Sequence, residues 1–232
     1  MLDALRRGLT AGAVGGLLAG AFGFLLAEPL MDHAVDLEAA RARAAGDVGV
    51  EAFTRNTQHA GLLLATLLVG LALGVLYAVV HSLLHRDDTA DAWGRALRLG
   101  GAAFFALGVV PFLRYPSNPP GVGEAETIDS RAHLWTVSLV IGLVGACLAA
   151  LVARGLRERG VPSSLRQLAV TGVLAATVAL TFVLPDDTDP IEAPVHLIWD
   201  FRLLSFATTV LLWGGLAATF GLLGERASRR TG

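Results

Sequence analysis

The sequence contains no lysine: all 18 basic residues are arginine. A phosphate-cradling GxxxxGK[ST] loop needs its lysine, so the chain is not itself a standard P-loop ATPase. A lysine Schiff base of the kind found in retinal pumps is excluded with it. Cysteine is nearly absent too. The one present, Cys147, lies inside an apolar run. It forms no internal disulfide, a single thiol is no metal cage, and it reads as a small packing residue. Charge is scarce: 16% of residues are charged, against about 25% in a soluble domain, while 54% are hydrophobic and mean hydropathy is +0.60. The apolar residues are gathered into long runs, which places the chain among membrane proteins.

A helix crosses the hydrocarbon core with about 20 apolar residues. Six candidate spans fit this length: 8–27, 60–84, 96–113, 134–153, 168–185 and 203–223. The expected fold is all-α, a polytopic integral membrane protein forming a single transmembrane domain over 1–232, with six transmembrane helices. The count drops to five if the third span does not cross. That span is the weakest, with Arg98 near its start and Pro111 near its end.

Arginine counting favours six crossings. The N-terminus, the loops 85–98 and 154–167 and the C-terminal tail then share one side and hold 12 of the 18 arginines. The positive-inside rule puts that side, and both termini, in the cytoplasm, with the protein in the inner membrane. Carboxylates divide the opposite way. The outer face holds 14 of them against six arginines, a formal charge of −8. Such a face concentrates cations.

The first apolar run is 20 residues long, is followed by Glu28-Pro29 and has no A-x-A cleavage site, so it reads as a span rather than a signal peptide. It carries Gly8, Gly12, Gly16 and Gly20, an unbroken four-residue period that lays a glycine groove along one helix face for close helix packing. No internal repeat is evident between the halves of the chain.

Four of the six histidines, His33, His59, His133 and His196, fall at or beyond the outer boundary; His81 and His85 fall at the inner end of the second span. Imidazoles among carboxylates suit borderline divalent ions. The sharpest local pattern is "EPLMDHAVD". If the helix continues past Pro29, then Glu28, Asp32 and Asp36 share one face and His33 flanks it. Glu28 lies at the edge of the bilayer, where an ionisable group is a functional candidate by default. The 28–59 connection is too long for a bare loop, and "LEAARARAA" favours a short outer helix within it.

"PFLRYPSNPPGVG", residues 111–123, holds four of the nine prolines. Proline ends helices and pushes the preceding residue into extended conformations. The stretch is therefore expected to leave the third span at Pro111 and run as a rigid strip, largely free of hydrogen bonds, along the outer surface. Pro111, Arg114, Tyr115, Asn118, Pro119, Pro120, Glu124 and Glu126 are its candidate vestibule or gate residues. Arg114 can pair with outer carboxylates, and Tyr115 suits the interface.

"FLLAEPLMDHAVDLEAA", "PFLRYPSNPPGVGEAETIDSR" and "HLIWDFRLLS", in this order between apolar spans, resemble the CbtA family of proposed cobalt transporter subunits. That family is usually described with five spans, a difference that turns on the third. The resemblance implies transport of divalent cobalt into the cytoplasm for cobalamin biosynthesis. It also implies a partner, CbtB, a small single-span protein with a histidine-rich end. Cobalt is then the transported substrate, with Glu28, Asp32, His33, Asp36, His59, His133 and His196 as candidate metal ligands. The expected path for the ion runs between glycine-rich helices. No resident cofactor, enzyme activity or nucleic-acid partner is expected. Two alternatives stay open: a haem-binding membrane subunit using His59 and His133, and a structural scaffold that docks a partner through the glycine face.

Overall fold

A computed structural model describes residues 2–44, 46, 54–84, 91–186, 189 and 193–231. His85 lies outside them. Among the described residues there is no strand, and six helices are long and apolar enough to cross a membrane. They are α1 (Leu2–Ala44), α2 (Arg55–Leu84), α3 (Ala92–Arg114), α4 (Ile128–Glu158), α5 (Ser163–Thr181) and α6 (Val195–Thr231). Leucines and valines project outward from them, among them Leu64, Leu68 and Leu76 on α2 and Val140, Leu143 and Leu148 on α4. In water these would be a liability; against lipid tails they are the expected surface.

α1 explains the long first connection. It runs unbroken for 43 residues, about 65 Å at 1.5 Å per residue, against about 30 Å of hydrocarbon. The outer helix expected within 28–59 is its extension over Glu28–Ala44. Pro29 does not stop it because the preceding turn is widened. Gly23–Ala27 form a π-helical turn, in which the Glu28 N–H donates to the Gly23 carbonyl five residues back. An α-turn would drive the proline ring into the carbonyl four residues earlier; the wider turn moves that carbonyl aside.

The same device corrects the expectation that the third span ends at Pro111. Phe105–Val109 form a second π-turn, the Val110 N–H donates to the Phe105 carbonyl, and the helix continues through Pro111 to Arg114. The proline strip therefore begins at Tyr115, whose N–H closes the last turn on the Pro111 carbonyl at 2.7 Å.

The chain divides into two compact units. The first comprises Met1–Gly101, Asn118–Gly121 and Ala193–Gly232. Its centre is the contact of α1 with α2. A methyl group built on Gly8, Gly12 or Gly16 would collide with the carbonyls of Gly74, Gly70 and Thr66, and one on Gly70 or Gly74 would strike α1 in return. Both backbones approach closely because neither carries a side chain there. Gly15, on another face of α1, packs on the backbone of Leu212 and Leu216 of α6. Lower in this unit Tyr77 donates to the Ala96 carbonyl and stacks edge-on to buried Phe220 at 5.1 Å, and Arg7 covers the Phe220 ring at 5.2 Å.

The second unit comprises Ala102–Ser117 and Val122–Glu192. Here Gly142 of α4 meets the backbone of Ala106, and Gly145 meets the side chain of Thr177 on α5. Buried Ser138, Thr177 and Thr181 return their hydroxyls to carbonyls of their own helices, so none of these three hydroxyls is stranded.

Candidate functional site

Beyond the last glycine contact, α1 and α2 carry their polar residues toward each other. Glu28 and Asp32 sit one turn apart on α1, and His59 lies on the facing first turns of α2. One ligand atom from each lies within 4.8 Å of the others, the only such group of three His, Cys, Asp or Glu side chains among the described residues. Donors about 2.1 Å from a common ion stand at most about 4.2 Å apart, so a small closure would bring all three onto one cation. Glu28 is the most enclosed, with 13% of its side chain exposed; Asp32 is half exposed.

His59 Nε2 is buried and makes no hydrogen bond among the described residues. It lies 3.1 Å from Glu28 Oε2, poorly angled for one. The edge of Phe24 packs against the imidazole at 5.7 Å and fixes its plane. A neutral imidazole presents one lone pair, and a carboxylate two oxygens, to a metal. One nitrogen and two carboxylates around a metal would leave coordination positions for water.

One residue that the sequence reading placed only in the outer charge count occupies the centre of this group. Arg55 Nη2 donates to Glu28 Oε2 at 2.8 Å and also to Asp32 Oδ1, while its Nε donates to the same Asp32 oxygen at 2.8 Å. Nη1 donates to Gln58 Oε1. Partial burial works against the charge on Arg55. The hydrogen bonds and charges of Asp32 and Glu28 outweigh it, and its pKa is raised above the ordinary arginine value. The signal available in the sequence was the spacing Arg55–His59, one helical turn, at the start of an apolar run where a cation opposes the helix dipole.

The other candidate ligands are elsewhere. His33 and Asp36 are exposed on α1 and stand outside the group of three, as do exposed His133 and His196. Neither His59, turned onto Glu28, nor His133 sits deep between facing helices as a haem ligand would. The glycines Gly8, Gly12, Gly16 and Gly20 pack directly against the backbone of α2 or its side chains.

The vestibule candidates form a stitched loop rather than a strip free of hydrogen bonds. Prolines remove N–H donors, but side chains and carbonyls take over the bonding. In the first unit, Asn118 Oδ1 accepts from Arg202 Nη2 at 2.7 Å, Pro119 is buried, Pro120 is half-buried, and Gly121 at φ +71° lies against Glu38. In the second, the Arg114 guanidinium donates to the carbonyls of Thr181 and Leu184 and pairs with Asp186 at 2.7 Å. Tyr115 donates to the Pro185 carbonyl at 2.7 Å. Asp189 accepts from the Glu124 N–H at 3.0 Å and from the Thr127 hydroxyl, with Arg131 at 3.3 Å. Glu126 is exposed, and Pro111 is buried within α3.

Membrane-length helices define a polytopic membrane protein, and at their polar ends an imidazole and two carboxylates form a group that could hold a metal ion. The family model described as probable cobalt transporter subunit (CbtA) matches residues 2–225, and the chain belongs to that family. No curated protein and no solved structure matches it. A transporter subunit implies a partner in a transport complex.

Proposed function

We propose that this subunit captures divalent cobalt on the outer side of the inner membrane and passes it to the cytoplasm, where it supplies cobalamin biosynthesis. The observation that carries the reading is the convergence of Glu28, Asp32 and His59 at the polar end of the α1–α2 pair. The acidic outer face, formally −8, raises the local concentration of cations there. Both termini face the cytoplasm. An inside-negative potential of 100 mV supplies about 2.3 kcal/mol per charge, and twice that for a divalent ion, so accumulation needs no nucleotide. Cobalt is the transported substrate, and the chain needs no cofactor of its own. The partner is a small single-span, histidine-rich protein of the CbtB type.

The test is cobalt uptake, read by mass spectrometry, in cells lacking the gene and complemented with wild type or Glu28→Gln. Restoration by wild type alone supports the reading. Equal restoration by both removes this site from the route.

A further inference from the structure

Arg55 poses a problem that the capture reading does not solve. A transport site must bind a dilute cation, yet a guanidinium already fills it. The two carboxylates carry a charge of −2 and Arg55 carries +1. A divalent ion added with Arg55 in place would leave a part-buried site with net +1 and two cations within a few ångströms. At that separation two cations repel strongly, because a part-buried site screens them less than bulk water does. With Arg55 withdrawn, the same ion and carboxylates sum to zero.

We infer that Arg55 is a tethered competitor of the ion: arrival of the cation displaces the guanidinium from Glu28 and Asp32, and its return drives the cation out. This rests on the reading of Glu28, Asp32 and His59 as the ligand set. The geometry supports exchange rather than permanent pairing. Arg55 is the first residue of α2, on a flexible side chain that is 27% exposed, so it has somewhere to go. Gln58 Oε1 already accepts from Nη1 and holds one arm of the guanidinium beside the site while the other leaves. His59 Nε2, in contrast, makes no hydrogen bond among the described residues and only faces Glu28 Oε2 at 3.1 Å. Arg55 therefore competes for the carboxylates alone. It also holds them together while the site is empty, so their mutual repulsion does not open the cleft.

The consequence separates binding from turnover. Removing the competitor should tighten equilibrium binding but slow release. Cobalt(II) is titrated into the full-length purified protein in lipid nanodiscs, by calorimetry and by the visible absorption of the bound ion, for wild type, Arg55→Gln, Arg55→Lys and Glu28→Gln. Arg55→Gln should bind at least about tenfold more tightly than wild type, because charge-assisted hydrogen bonds need no longer be broken. Arg55→Lys keeps the charge but loses the planar fork, and should tighten binding by about threefold. In cells, Arg55→Gln should lower both the half-saturating cobalt concentration and the maximal rate. Weaker or unchanged binding in Arg55→Gln, with binding abolished in Glu28→Gln, overturns the exchange and leaves the ligand set standing. Wild-type binding in Glu28→Gln sinks the ligand set and the exchange with it. If Arg55→Gln does not stay monodisperse, Arg55→Lys decides: affinity at or below wild type refutes the competitor.

Discussion

His59 Nε2 and Glu28 Oε2 lie 3.1 Å apart on two helices that meet at Gly20 and Thr66 about two turns further in. Gly20 abuts the Thr66 hydroxyl, and Gly16 abuts the Thr66 carbonyl. From Thr66 to His59, and from Gly20 to Glu28, is about two turns, some 10–12 Å of helix. The register locked by the glycines is thus transmitted by rigid helix to Glu28 and His59, the proposed ligands. A packing motif and a ligand motif that look independent in the sequence form one object.

The ligand assignment predicts which histidine matters. Glu28→Gln and His59→Ala should each reduce uptake at limiting cobalt by about tenfold or more, the usual scale for damage to a metal site. His33→Ala, His133→Ala and His196→Ala should stay within about twofold, since these side chains are exposed and outside the group. Uptake is compared at equal protein level in the membrane. A loss in His33→Ala without one in His59→Ala would transfer the site to the outer face of α1.

The glycine seam predicts an unequal response to a single methyl group. Gly12→Ala and Gly70→Ala force backbones apart and should destabilise by about 1–3 kcal/mol, read as a lower thermal transition in detergent. Gly61→Ala and Gly172→Ala meet nothing within 4 Å. They should hold or raise stability by up to about 1 kcal/mol through helix propensity. If all four variants melt together, the close contact is not what holds α1 to α2.

Much of this was legible in the sequence, and the failures share a cause. Hydropathy located the spans because lipid imposes a length on every crossing helix. The spacing of Glu28 and Asp32 was readable because four residues bring side chains to one face of any helix. Their partner His59 lies 31 residues away, and nothing local says which face of α2 meets which face of α1. Arg55 was visible as charge but not as a neighbour, for the same reason. Pro111 was read as a stop because proline breaks an α-ladder; the widened turn over Phe105–Val109 evades that rule without a composition of its own. Gly70 and Gly74, the other half of the seam, were hidden in an apolar run with no unbroken glycine period of its own.

Asp189 predicts a pH dependence in the outer loop. The Thr127 hydroxyl, the Glu124 N–H and nearby Arg131 hold its carboxyl below the usual carboxylate range, although burial acts the other way. A depressed pKa means stabilisation that is full above the unfolded value, about 3.9, and is lost as pH falls through the lower folded value. Trypsin cleavage after Arg131, in proteoliposomes, should stay slow throughout the neutral and mildly acidic range. Asp189→Asn should speed it at neutral pH. Equal protection in the two proteins would show that the loop is held by its prolines alone.

Topology is predicted by arginine. With 12 of 18 arginines on the side of the termini, a fluorescent protein fused to the C-terminus should glow and an alkaline phosphatase fused there should be inactive. The reverse pattern would put the ligand triad on the cytoplasmic face and turn capture into release.

Arg114 is predicted to act as a helix cap rather than as an ion pair. Its side chain is 9% exposed, and its Nε and Nη2 reach the carbonyls of Thr181 and Leu184 at 3.2 and 2.6 Å. These lie at and just beyond the C-terminus of α5, where carbonyls lack intrahelical donors and the dipole favours a cation. Asp186, its acidic partner, is 83% exposed, and such pairs are worth about 0–1 kcal/mol. The expected order of destabilisation is therefore set by the carbonyls. Arg114→Ala removes the guanidinium donor from both, leaving the Thr181 carbonyl only the Leu184 N–H, and should cost about 2–3 kcal/mol, the scale of hydrogen bonds to a charged group. Arg114→Lys keeps the charge but reaches fewer acceptors, and should fall between. Asp186→Asn should be nearly silent. Hydrogen exchange at the amides of Phe182, Val183 and Leu184, which close the turn after α5, gives a local readout alongside the melting temperature. If Asp186→Asn destabilises as much as Arg114→Ala, the ion pair holds this corner and the cap does not.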